Sequence, residues 1–81
     1  QLEITGKIYK YLKSNKKIIL FKHLKEKKRE IIDKIILIGA KKIDYLECLN
    51  LKTLKTAKGV KENYNIFIAY YIDKTRLIDN L

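Results

Sequence analysis

Apolar positions near the start of the chain, Ile4, Ile8, Tyr11 and Leu12, recur three and four residues apart. That spacing puts side chains on one face of a helix. The polar pair Ser14-Asn15 ends this segment or caps the next one. From about Lys16 to Ile38 a longer helical pattern follows, with Leu24, Ile31, Ile35 and Ile38 on one stripe and Ile32 and Ile36 widening it. The run Lys25 to Glu30 is strongly polar and should face water, and Gly39 stands where a helix ends in a left-handed residue.

Beyond Gly39 the period shortens to that of strands. Ile43 to Leu49 reads as a strand with Ile43, Tyr45 and Leu49 on one side and Leu46 and Cys48 on the other. Asn50 to Val60 is irregular, and Asn65 to Ile72 (NIFIAYYI) is the strongest strand signal, rich in β-branched and aromatic residues. Asp73-Lys74 makes a short turn and Thr75 to Asp79 returns antiparallel. Within that last strand the apolar pair Leu77-Ile78 should be buried on opposite faces, and Asp79-Asn80 can cap the strand end. Two helices followed by a small three-stranded antiparallel sheet predict an α+β fold.

Eighty-one residues make one domain, 1–81, of only a few kcal/mol stability. The chain begins at Gln1 and contains no methionine, so it is expected to be a piece of a longer polypeptide. Its net charge of +10, from 19 basic and 9 acidic residues, would suit a polyanion. That signal is discounted, because Arg29 and Arg76 are the only arginines and the lysines are scattered along the chain. Nucleic-acid sites favour arginine for its bidentate contacts and stacking. The single cysteine builds no disulfide and fits a reducing, cytoplasmic setting. The longest apolar runs, Ile18–Phe21 and Ile35–Ala40, are too short to span a bilayer, so no membrane association is expected.

The residues offer little chemistry of their own. His23 is the only histidine, lies among lysines and should be solvated, so no histidine-based metal site is expected. Cys48 sits mid-strand and reads as a small buried hydrophobe. Gly6, Gly39 and Gly59 are isolated and make no phosphate cradle, and the odd spacing of Asp44 and Glu47 puts them on opposite strand faces. No catalytic, substrate-binding or metal residue is expected in this segment.

The second half of the chain nevertheless carries two motifs. KKIDYLECLNLKTLK at Lys41–Lys55 and IFIAYYIDKTRLIDNL at Ile66–Leu81 resemble the C-terminal domain of the pantothenate synthetases, also called pantoate–β-alanine ligases. The matched positions are Asp44 and Tyr45 of a "DYLE" strand, the Thr53-Leu54 pair, and Thr75, Arg76, Leu77, Ile78, Asp79 and Asn80 of a "TRLIDN" run. IYKYL at Ile8–Leu12 matches an apolar helix of the family only weakly. The resemblance implies a two-domain, AMP-forming enzyme of pantothenate and coenzyme A biosynthesis that uses ATP and Mg, a homodimer acting on pantoate and β-alanine through a pantoyl adenylate. It places catalysis in an N-terminal nucleotide-binding domain and makes this segment, inactive alone, the lid over it. The family's paired histidines and Ser-Ser-Arg-Asn signature are missing here, so Asp44, Tyr45, Thr75, Arg76, Leu77, Asp79 and Asn80 are expected to be structural. Lys58, Lys61 and Lys74 are expected to ease polyphosphate under the lid.

Two rivals stand beside this reading. A small lysine-rich nucleic-acid-binding module would draw on the charge and the six tyrosines. Against it, Tyr45, Tyr70 and Tyr71 lie among apolar strand residues and read as core or interdomain contacts. The other rival is an interaction domain with no ligand of its own.

Overall fold

The computed structural model describes residues 2–81. Helices α1 (Leu2–Ser14), α2 (Lys16–Leu24) and α3 (Lys28–Ile38) precede strands β1 (Lys42–Asn50), β2 (Tyr64–Ile72) and β3 (Thr75–Asn80). The strands form one antiparallel sheet in the order β1-β2-β3. The α+β class and the three strands are as expected, whereas the long second helix is two helices.

The break falls at Lys25–Lys27, where the polar run has no apolar stripe to bury. The Lys27 N–H bonds to the Lys22 carbonyl at 2.7 Å and the Glu26 N–H to that of His23 at 3.2 Å. This pair of bonds is the Schellman closure of a helix end. Its left-handed position, normally a glycine, is held by Glu26 at φ 61. The turn swings Leu24 off the stripe into solvent, while Ile31 and Ile35 on α3 are fully buried. Ile36 is also exposed, so the stripe on α3 is narrower than the periodicity suggests. Because a β-carbon is strained at this φ, Glu26→Gly should raise stability by about 0.5–1 kcal/mol. Urea unfolding of the two proteins checks it, and a loss of stability would refute the strain.

The same closure ends α3. Gly39 and Ala40 donate to the Ile36 and Ile35 carbonyls at 3.0 and 3.3 Å. At the other break, Asn15 returns its side-chain Nδ2 to the Tyr11 carbonyl at 2.9 Å and so satisfies the end of α1.

One face of the sheet packs on all three helices. Ile8 and Leu12 of α1, Ile19 and Leu20 of α2, and Ile31 and Ile35 of α3 meet Leu46, Cys48, Ile66, Ile68, Tyr70 and Ile72 in a single core. A bulge at Asp44 shifts the β1 register, so that Ile43 pairs with Tyr70 and Tyr45 with Ala69. The extra residue returns Ile43 to the core face. Strict alternation had placed it with Tyr45 and Leu49. In β3, Leu77 packs on the core, but Ile78 is 65% exposed on the opposite face, so the expected burial of both is corrected. Alternation did separate the two residues. Among the described residues no second helical layer covers the side on which Ile78 lies.

Residues 51–63 are irregular yet held. Thr56 bridges to Leu49. The Asn50 N–H bonds to the Lys55 carbonyl and the Ala57 N–H to that of Cys48, both at 2.8 Å. The segment thereby covers the Cys48–Asn50 end of the outer edge of β1, while Ala57 fills a buried position. Leu81 and Ile66 exchange both backbone hydrogen bonds, so the pairing continues to the last residue.

Candidate functional site

Asp44 and Arg76 come from separate motifs and opposite edge strands, and the fold brings them together. The Arg76 Nε donates to Asp44 Oδ2 at 2.8 Å. Arg76 pairs with Tyr71 on β2, and so does Lys42 on β1, so the ion pair arches over the strand between them. The bulge gives Asp44 the reach. Lys42 Nζ stands 3.9 Å from Asp44 and 4.9 Å above the Tyr71 ring. The hydrogen bond to Asp44 raises the Arg76 guanidinium pKa further above its already high ordinary value.

The other expected motif residues have different surroundings. Tyr45 is on the face away from the helices, opposite Ala69. Thr75 closes the β2–β3 turn opposite Ile72, a turn in which Asp73 adopts φ 53. Asp79 accepts the Asn80 N–H at 2.8 Å. The Asn80 Oδ1 accepts from Asn65 Nδ2 at 2.6 Å, tying the ends of β2 and β3 by side chains.

Sequence reasoning missed one polar cluster. His23 at the end of α2 is not solvated, since its side chain is only 11% exposed. Its Nε2 lies 3.8 Å from Glu47 Oε2, and Lys28 Nζ lies 3.2 Å from Glu47 Oε1. The His23 Nδ1 is buried with no hydrogen-bond partner. Burial lowers its pKa below 6.5, and the nearby Lys28 acts in the same direction, while Glu47 pulls the other way. Neighbouring lysines suggested solvent, yet His23 follows the buried Ile19 and Leu20 by four and three residues, the spacing that puts it on the inward face of α2. The unfolded chain binds the proton more readily, so His23 favours folding above pH 6.5 and loses that contribution as pH falls. The urea midpoint should therefore decline below about pH 6.5, and His23→Gln should flatten that part of the profile. An identical profile in the variant would remove His23 as the cause.

Cys48 is fully buried, and burial pushes its thiol up to about 11, which keeps it protonated and unreactive near neutrality. Among the described residues no group of three His, Cys, Asp or Glu side chains is placed to hold a metal ion. None of the described helices is long and apolar enough to cross a membrane.

A concavity of about 730 Å³ opens between the α1–α2 junction and residues 51–63. Lys13, Lys16, Ile18, Leu51, Val60 and Asn65 are among its walls. Lys16 is already engaged there, donating to Asn65 Oδ1 at 3.2 Å and lying 4.9 Å from the Tyr64 ring. The six tyrosines make no common stacking platform. Tyr64 and Tyr70 are in the core, Tyr9 and Tyr11 are on α1, and Tyr45 and Tyr71 are on the outer sheet face. Lys58 and Lys61 lie in the segment before β2, and Lys74 in the turn after it. The length of β2, about 25 Å at the usual strand rise, separates them, so they do not gather around one phosphate chain.

A family model described as pantoate-beta-alanine ligase matches residues 1–81. The chain belongs to that family. Among individual relatives, the pantothenate synthetase of Clostridioides difficile (strain 630) is 46% identical over 39 residues, which are 48% of this chain and 14% of that protein. The matched stretch is thus a small part of the relative's length. No solved structure matches. The arch from Asp44 to Arg76 ties together the two motifs that carry the likeness to this family.

Proposed function

We propose that these residues form the lid domain of a longer, AMP-forming pantoate–β-alanine ligase. The carrying observation is the family match along the entire chain. In that enzyme the pantoate carboxylate attacks the α-phosphate of ATP, giving pantoyl adenylate and pyrophosphate. The β-alanine amine then attacks the adenylate carbonyl, forming the amide and releasing AMP.

The carboxylates of the described residues make no convergent magnesium site. Asp44 is engaged by Arg76 and Lys42, and Glu47 by Lys28, with no convergent set of free carboxylates among the described residues. ATP and Mg2+ are therefore assigned to the nucleotide-binding part of the polypeptide. What this domain contributes is exclusion of water. An acyl adenylate is a mixed anhydride open to hydrolysis, and a rigid cover on a mobile connection protects it between the two half-reactions. One well-packed core spanning all six elements supplies the rigidity.

The test is AMP release from ATP, pantoate and β-alanine. The full polypeptide should form AMP in a β-alanine-dependent manner, and residues 1–81 alone should form none. Turnover by the isolated segment, or none by the full polypeptide, would overturn the reading.

A further inference from the structure

The sheet has an unused side. Tyr64, Ile66, Ile68, Tyr70 and Ile72 of β2 point into the core, while the alternate residues Phe67, Ala69 and Tyr71 face away from the helices. Both faces of the central strand are therefore apolar, the pattern of a strand covered on two sides. The described residues cover only one. On the open side Ala69 lies between Tyr45 across β1 and Ile78 across β3, with Phe67 and Tyr71 before and after it along β2. Those neighbours roof Ala69 completely, yet Tyr45 and Ile78 are themselves exposed. Rigid aromatic anchors around a small central residue, bordered by Lys42 and the Arg76–Asp44 pair, form an apolar centre with a charged rim. That is the anatomy of a protein interface.

We propose that this open sheet face docks the domain onto the remainder of its own polypeptide, an inference that rests on the ligase reading. Two observations select that occupant. The relative matched here extends far beyond the aligned stretch, so members of the family have chain to place against the face. A second copy of this domain fits poorly, because each copy carries a net charge of +10 and would bring Lys42 and Arg76 towards their own counterparts. The docked surface has an apolar centre and acidic groups at its rim, placed to meet Lys42 and the unpaired side of the Arg76 guanidinium.

Hydroxyl-radical footprinting of the full polypeptide, read by mass spectrometry, tests this. Tyr45, Phe67 and Tyr71 should be labelled at least five-fold more slowly than their exposure in this domain alone would give, at every protein concentration. Ile78→Asp, at a site the domain itself leaves open, should restore labelling at those three residues while leaving the domain's own circular dichroism unchanged. Labelling as fast as exposure in the lone domain predicts would overturn the proposal, and so would protection that grows with concentration, which marks a second copy. A protein that releases AMP with this face fully labelled keeps the ligase reading and loses the docking surface. One whose face is protected but which makes no AMP does the reverse.

Discussion

Ile35→Ala is expected to cost about 3 kcal/mol. A domain of this length has roughly 4–12 kcal/mol in total, so the variant should unfold at a far lower urea concentration or fail to fold at 37 °C. Ile35 is fully buried on α3 and belongs to the core that joins three helices to the sheet. Truncation removes most of its apolar surface and leaves a cavity, because the surrounding core relaxes only partly into it. Leu37, two residues on, provides the control. It is 78% exposed, and Leu37→Ala should cost about 0.5 kcal/mol or less. Equal effects at the two positions would mean that α3 presents a different face to the sheet.

Gly39→Ala should be the next most damaging change, at about 2–3 kcal/mol. Two costs combine. Gly39 has φ 148, a conformation a side chain strongly disfavours, and an added β-carbon would sit 2.8 Å from Ile4 Cγ2. That methyl stands on the branched Cβ of a side chain half-buried against the core, so it yields poorly. A double-mutant cycle with Ile4→Ala separates the terms, since trimming Ile4 relieves the contact and leaves the backbone strain. Strict additivity would show that the close approach of α1 to the end of α3 carries no energy.

The strands and the final hairpin were legible because alternation and β-branched residues survive in the sequence unmixed. Gly39 announced its helix end for the same reason that its replacement is expected to be costly. The break at Glu26 was hidden because an ordinary residue occupies the left-handed position, a local strain offset by the burial of Ile31 and Ile35 beyond it. The bulge at Asp44 was equally silent, since one inserted residue changes the parity of everything on one side without altering composition. From that parity error came the misassignment of Ile43. His23 was misread because lysines flank it, although its spacing from Ile19 and Leu20 marks the buried face of α2. The meeting of Asp44 with Arg76 needed two non-neighbouring strands and the bulge together, so only the motifs themselves, and not their contact, could be read beforehand.

The pairing of residues 55–57 along β1 has a further consequence. With Leu81 and Ile66 in a mutually bonded pair, alternation turns the backbone groups of Arg76, Ile78 and Asn80 towards the free rim of β3. The Asn80 amide is already claimed by Asp79. Growth of the sheet therefore has a polarity. An added strand, whether a productive partner or the first step of a fibril, would meet the free amides of Arg76 and Ile78 beyond β3.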